Sequence, residues 1–64
     1  MPENLTPDGV AMVLRAGDEA WDVKAGPTIY PLEEPFIAPA AGWAWFEIDH
    51  EKLTARVARF EAAP

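Results

Sequence analysis

Hydrophobic and polar residues alternate early in the chain with a period of two, which is the pattern of a half-buried β-strand. The alternation is clean over residues 20–24 (AWDVK), and residues 10–15 (VAMVLR) form a short apolar run that includes two β-branched valines. The residues between these segments (AGDE) are typical of a turn. We therefore predict a β-hairpin over residues 10–24.

The strongest strand signal is the aromatic-rich segment WAWFEI at residues 43–48. One face of this strand would carry Trp43, Trp45 and Glu47, and the opposite face would carry Ala44, Phe46 and Ile48. Both faces are largely apolar. We therefore expect a central strand, or a strand whose second face is covered.

Prolines recur at every fourth position, 27, 31, 35 and 39, in the segment that joins these predicted strands. Proline has no N–H to donate, and it restricts the backbone of the residue before it. We therefore expect neither a helix nor a central strand over residues 26–42, but an extended crossing. Its apolar residues, among them Ile29, Tyr30 and Phe36, predict that the crossing wraps over the core instead of forming a polar linker.

The last part of the chain has the spacing of an amphipathic helix. Asp49 is a good N-cap residue, and the helix would run over residues 50–62. One helix face would carry His50, Leu53, Val57 and Phe60, and a neighbouring face would carry Lys52, Arg56 and Arg59. The alternative is a last strand over residues 54–60, paired with residues 43–48.

These elements predict a small α+β domain. Its short antiparallel sheet would consist of the hairpin and a third strand, with the C-terminal helix packed on it and the proline-rich crossing between them. The alternative fold class is a small all-β, barrel-like domain. We expect residues 1–9 to be a flexible lead, because Pro2 and Pro7 oppose regular structure, and residues 10–64 to be one domain.

Composition narrows the functional classes. The chain has 64 residues, no cysteine, one histidine and a net charge of −6, so it can form neither a disulfide nor a cysteine-based zinc site. The negative charge opposes binding to nucleic acid and to anionic membranes. We predict a cytoplasmic protein, because the first residues lack the basic and apolar regions of a signal peptide and no apolar stretch is long enough to cross a bilayer.

Catalytic chemistry has little support. Serine and cysteine are absent, and a pairing of Thr54 with His50 would lack a carboxylate that orients the histidine. A metal ion could use Glu47, Asp49, His50 and Glu51, but the same residues are ordinary for a strand end followed by a helix start. We therefore predict no enzymatic activity, no cofactor and no metal site.

What remains is an interaction surface. The Trp43 and Trp45 pair is either core or a docking site for another protein, since tryptophan is enriched at interface hot spots. Charge is also uneven: residues 1–51 have ten acidic and two basic side chains, whereas residues 52–64 have three basic and one acidic. The predicted protein-binding residues are Trp43, Trp45, Lys52, Arg56, Arg59, Glu33 and Glu34.

We therefore predict a non-enzymatic protein-interaction module, a small accessory or assembly subunit of a larger complex such as a virion or a multi-subunit assembly. It would bind another protein or itself. The alternative function is an acidic inhibitor that imitates nucleic acid and binds a basic cleft of its target, with Glu33, Glu34, Glu47, Asp49 and Glu51 as the charges.

Overall fold

A computed structural model describes residues 9–64, and all regular structure in that range is β-strand. The five strands are β1 (Gly9–Leu14), β2 (Glu19–Ala25), β3 (Thr28–Ile37), β4 (Gly42–Asp49) and β5 (Thr54–Ala62). The prediction of an α+β domain with a C-terminal helix was therefore wrong. The alternative, a barrel-like all-β domain, fits the structure.

The strands form one curved sheet in the order β1-β4-β5-β3-β2. Three neighbouring pairs are antiparallel, and β3 and β5 run parallel to each other. The two edge strands, β1 and β2, approach each other without forming a ladder. The result is a nearly closed five-stranded barrel, and closing a sheet in this way reduces the exposed edge available for aggregation.

The inner face of the barrel is apolar. Phe46 at the centre of β4 and Val23 on β2 are the largest fully buried side chains. Around them lie the other buried core residues, Leu14, Ala20, Tyr30, Ala38, Ala44 and Ala55. Phe36 joins this core, with its ring centroid 6.3 Å from that of Phe46 and nearly perpendicular to it.

The predicted helix over residues 50–62 is instead a four-residue turn followed by β5. The register explains the misleading pattern. Trp45 lies opposite Arg59 and Phe46 lies opposite Val57, so Ala58 is an extra residue in a β-bulge. Val57 and Phe60 consequently both pack against the core although they are three residues apart. A single bulge thus imitates the spacing of a helix.

The predicted hairpin over residues 10–24 was correct in its two strands but wrong in their pairing. Both strands form, but β1 pairs with β4 and β2 pairs with β3. The turn between them is ordered by Asp18, whose Oδ2 accepts the Arg15 backbone N–H at 2.8 Å, and by Gly17, whose φ of +84° is the left-handed conformation that glycine favours. The turn is tied across to the end of β3 by Ala38, which bonds Gly17 and Asp18.

The proline-rich crossing is also corrected, because its main part is β3, which lies between β2 and β5 in the sheet. The prolines are accommodated by position. Pro27 lies in the two-residue turn from β2, after Gly26 with φ +62°, and Pro39 follows the end of β3. Asp22 pairs with Pro31 and Ala20 pairs with Phe36, so residues 32–35 of β3 have no regular partner on β2. Pro31 and Pro35 lie at the two ends of this irregular stretch, where a missing N–H is tolerated.

Two further predictions concern the first residues of the chain and the membrane. Most of the predicted lead, residues 1–8, lies outside the described residues, and Gly9 already belongs to β1. Over residues 9–64 the structure contains no helix of the length and apolar character that crossing a bilayer requires.

Candidate functional site

The outer side of strands β1, β4 and β5 carries an aromatic face. The register places Val13, Trp43 and Glu61 side by side in one row, and Ala11, Trp45 and Arg59 in the next. Side chains of directly opposed residues lie on the same face of an antiparallel pair. We call Val13, Trp43, Trp45, Arg59 and Glu61 the outer aromatic face.

The two tryptophans of this face stack on each other. Their ring centroids are 6.4 Å apart and the ring planes differ by 29°. Trp43 retains 46% of its surface, whereas Trp45 retains 9% although it does not belong to the core cluster inside the barrel. The sequence left open whether this pair is core or interface. The structure divides the roles, since Trp45 is buried and Trp43 is presented to solvent.

Arg59 covers Trp45 from the neighbouring strand. Its guanidinium carbon lies 4.1 Å from the indole centroid, which is a cation–π contact. The same guanidinium lies 3.8 Å from a carboxylate oxygen of Glu61. Arg59 is thus held by two neighbours, and the positive charge of this face is offset by a carboxylate beside it.

The indole N–H of Trp45 is buried without a hydrogen-bond acceptor. A buried donor without a partner costs about 1–3 kcal/mol in general. Trp21, by contrast, donates its indole N–H to Glu19 at 3.2 Å. Trp45 therefore stays in its position because of ring packing, not because of its polar atom.

A second group of candidate residues lies at the end of the barrel where β4 turns into β5. Arg56 donates from Nε and Nη2 to one oxygen of Glu47, at 3.2 and 3.0 Å. Across the parallel pair, Glu33 of β3 accepts the Thr54 hydroxyl at 3.2 Å. This end of the barrel is therefore held by exposed polar contacts between three strands.

The turn at this end is built by Asp49, which was predicted to be a helix cap. Its Oδ1 accepts the backbone N–H groups of Glu51 and Lys52, at 2.9 and 3.0 Å. The hydrogen bond from Lys52 is the main cause of a lowered pKa of the Asp49 carboxyl. Desolvation is the second-largest effect and raises the pKa, whereas the bond from Glu51 and the charges of Lys52 and Arg56 lower it further. Asp49 thus accepts the backbone N–H groups that a helix cap would accept. The chain nevertheless reverses at Leu53, whose φ is +59°, instead of continuing as a helix.

The three basic residues that were predicted to share one helix face have different surroundings in the structure. Lys52 lies in the β4–β5 turn, Arg56 pairs with Glu47, and Arg59 lies over Trp45. The predicted acidic residues Glu33 and Glu34 are both exposed on β3. Their role in binding stays a prediction.

Sequence reasoning missed several exposed apolar side chains. Val13 is 65% exposed and Trp21 is 63% exposed, and three others within residues 9–64 are also exposed: Ile29, Ile37 and Leu53. Alternation placed Trp21 on the same side of its strand as Val23, which was wrong, because Val23 is buried while Trp21 is exposed. The pairing of β2 with β3 shifts between Ala20 and Asp22, and this irregularity breaks the alternation. No local signal identified Val13, since whether a short apolar run is inside or outside depends on the strand beside it.

Metal binding can be judged from the clusters of potential ligands in the described part of the chain. No group of three or more histidine, cysteine, aspartate or glutamate residues could hold a metal ion there, and no polar or charged residue is buried. His50 packs edge-on against Tyr30, with ring centroids 5.9 Å apart.

Comparisons with models of known protein families, with curated proteins and with solved structures found no match to this chain. A barrel of this kind is compatible with many unrelated functions, so the fold alone does not indicate one. Function therefore has to be inferred from the side chains.

Proposed function

We propose that this protein is a non-enzymatic interaction module that docks another protein on its outer aromatic face. The observation that carries the proposal is the half-exposed indole of Trp43, stacked on a buried Trp45 and opposed by an exposed Val13. A rigid, partly buried aromatic group flanked by apolar surface is typical of an interface hot spot.

Packing supports Trp43 as an anchor. Its ring is fixed by Trp45, which is in turn covered by Arg59, so little side-chain freedom remains to be lost on binding. Immobilising a flexible side chain at an interface costs about 0.5–1.5 kcal/mol, and a preorganised one avoids most of this cost. The exposed surface of Trp43 is therefore well suited to form contacts.

Charge supports a different protein as the occupant, in preference to a second copy. Two copies would bring together chains that each have a net charge of −6. The face itself is close to neutral, because Arg59 lies beside Glu61. We expect the partner to present an apolar patch and to be neutral or positively charged overall.

The test is quantitative affinity capture from native lysate, with wild type, Trp43→Ala and Trp21→Ala as baits. Trp21 is the matched control, since it is also an exposed tryptophan but lies on β2, which contributes no residue to the outer aromatic face. Circular dichroism establishes that every bait is folded. Trp45 is not replaced, because loss of its buried ring is expected to destabilise the fold.

We expect one partner to bind wild type and Trp21→Ala but not Trp43→Ala. Wild type should retain this partner at high salt, because salt screens apolar docking only weakly. The captured protein is then purified, and its affinity is measured with the same three baits. Equal affinities for all three would exclude the outer aromatic face as the docking site. Elution of the bait alone as a dimer would indicate self-association instead.

The acidic-inhibitor function remains a second candidate on one specific observation. Four of the carboxylates predicted for it, Glu33, Glu47, Asp49 and Glu51, line a single groove at the end of the barrel. Lys52 and Arg56 line the same groove, so the negative charge there is partly compensated. A partner that is released by salt, displaced by DNA and indifferent to Trp43→Ala would favour this function.

A further inference from the structure

The parallel pairing between β3 and β5 is short. Leu32 lies opposite Ala55, and beyond it no further pair of opposed residues joins these strands within residues 9–64. β3 returns to β2 at Phe36, opposite Ala20, while β5 continues along β4. Pairing between the two strands therefore ends at Leu32, and within residues 9–64 no strand pairs with the β3-facing side of β5 beyond Ala55.

An open groove of about 570 Å³ lies between these two strands, beyond their last pair, and is lined by residues 33–36 and 56–57. Its apolar residues include Phe36 and Val57, which are half-buried and packed against the core. The ring of Phe36 is held from two sides, with centroids 6.3 Å from Phe46 and 5.7 Å from Phe60. The groove therefore has a fixed apolar floor.

The rim of the groove has surplus negative charge. Glu33 and Glu34 line it from β3, and no cation of the described residues lies within ion-pair distance of either. Arg56 lines it from β5, but its charge is already matched by Glu47 at 3.0 Å. An adjoining groove shares Glu33 and Arg56, and adds three carboxylates and one further cation: Glu47, Asp49, Glu51 and Lys52.

We propose that this groove binds an extended peptide segment of another protein, in which apolar side chains alternate with lysine or arginine. An extended segment can form main-chain hydrogen bonds with the unpaired side of β5. Successive side chains of a strand point to opposite faces, so apolar ones would reach Phe36 and Val57 while the cations meet Glu33 and Glu34. The net charge of −6 favours the approach of such a segment.

This site is separate from the outer aromatic face, so either can fail without the other. The probe is a capped synthetic peptide of alternating valine and lysine, titrated into the ¹⁵N-labelled full-length chain and followed by backbone amide shifts. A peptide of alternating valine and glutamate tests charge, and the valine–lysine peptide with N-methylated backbone tests strand pairing.

We expect the largest shifts at Glu33, Glu34, Phe36, Arg56 and Val57, and none from the two control peptides. Replacing both carboxylates in Glu33→Gln/Glu34→Gln should weaken binding about fivefold, since two exposed charge pairs with the peptide are lost. The matched control is Glu19→Gln/Asp22→Asn, which removes the same charge outside both grooves and outside the outer aromatic face, and it should weaken binding less than twofold.

Three results would overturn the proposal as a whole, and a fourth would exclude its strand pairing. One is the absence of shifts at the highest soluble peptide concentration, and another is a set of shifts centred on Trp43 or spread evenly over the barrel. The third is equal weakening by the two double variants, which would mean that only the net charge of the chain attracts the peptide. Undiminished binding of the N-methylated peptide would exclude pairing along β5.

Discussion

Trp43 and Trp45 stack on the same outer face, with ring centroids 6.4 Å apart, yet one is half exposed and the other is buried. Two residues of the same type and on the same face therefore have different roles. We expect Trp45→Ala to destabilise the fold by about 3 kcal/mol, in the range of large buried aromatic truncations. Trp43→Ala should cost about 1 kcal/mol, because it removes stacking but little buried surface.

Urea denaturation followed by circular dichroism measures both values, with Trp21→Ala as the exposed reference. A small domain has a stability of a few kcal/mol, so Trp45→Ala is also examined at low temperature with a stabilising osmolyte. Equal losses for Trp43→Ala and Trp45→Ala would contradict the division of roles.

Gly42 is required by the close approach of β4 and β5. A Cβ at this position would collide with the Glu61 carbonyl oxygen and lie 2.8 Å from the Ala62 Cα. We expect Gly42→Ala to cost about 1–3 kcal/mol, because backbone and not a flexible side chain has to move. Thermal unfolding of Gly42→Ala and Gly17→Ala measures the difference.

Gly17→Ala is the appropriate comparison, since no atom lies within 4 Å of a Cβ at that position, although its φ is +84°. Its cost is conformational only, about 1 kcal/mol. A smaller loss for Gly42→Ala than for Gly17→Ala would show that β4 and β5 do not approach as closely as described.

Leu53 is the one described non-glycine residue with positive φ, at +59°, and its side chain is 60% exposed. The left-handed conformation costs an L-residue about 1–2 kcal/mol, and glycine avoids this cost but adds about 0.5–1 kcal/mol of chain entropy. We therefore expect Leu53→Gly to stabilise the fold by about 0.5 kcal/mol.

Leu53→Ala separates the backbone effect from the loss of the side chain, because alanine retains a Cβ. It should give no stabilisation in chemical denaturation. If Leu53→Ala and Leu53→Gly stabilised equally, the gain would come from removing an exposed apolar side chain and not from the turn.

Asp49 makes stability depend on pH. Its carboxylate accepts two backbone N–H groups, and its pKa in the folded protein is lowered from the ordinary value of 3.8. A lowered pKa stabilises the fold at pH above the unfolded value, and this contribution is lost as pH falls through the folded value. Stability should therefore decline from about pH 4 downwards as Asp49 takes up its proton.

Asp49→Ala should be less stable than wild type at neutral pH, and the difference should narrow below the ordinary pKa. Asp49→Asn keeps an acceptor oxygen without the charge and should lie between them. The measurements are urea denaturation across pH and an NMR titration of the Asp49 carboxyl. A gap between wild type and Asp49→Ala that is constant with pH would contradict the role given to the carboxylate.

Part of this fold could be predicted from local pattern. The strand at residues 43–48 was predicted with the correct faces, and both strands of the first predicted hairpin exist. The tryptophan pair was identified as the feature of interest. These predictions succeeded because side-chain alternation is a property of each strand by itself.

Other predictions failed where the determining neighbour is distant in sequence. The extra residue Ala58 shifts Val57 and Phe60 to the same side of β5, which only pairing with β4 makes possible. β3 accommodates Pro31 and Pro35 because it leaves β2 between them and meets β5 at Leu32. Bulges and strand exchanges of this kind leave no periodic signal in the sequence.

The sequence by itself determined that the chain has no cysteine, is strongly acidic, and contains strands with apolar faces around Trp43–Ile48. Only the tertiary structure decided which strands pair, that Trp45 is buried while Trp43 is exposed, and that a groove opens between β3 and β5. The physical reason is that composition and alternation are local, whereas pairing, burial and grooves depend on contacts between residues far apart in the chain.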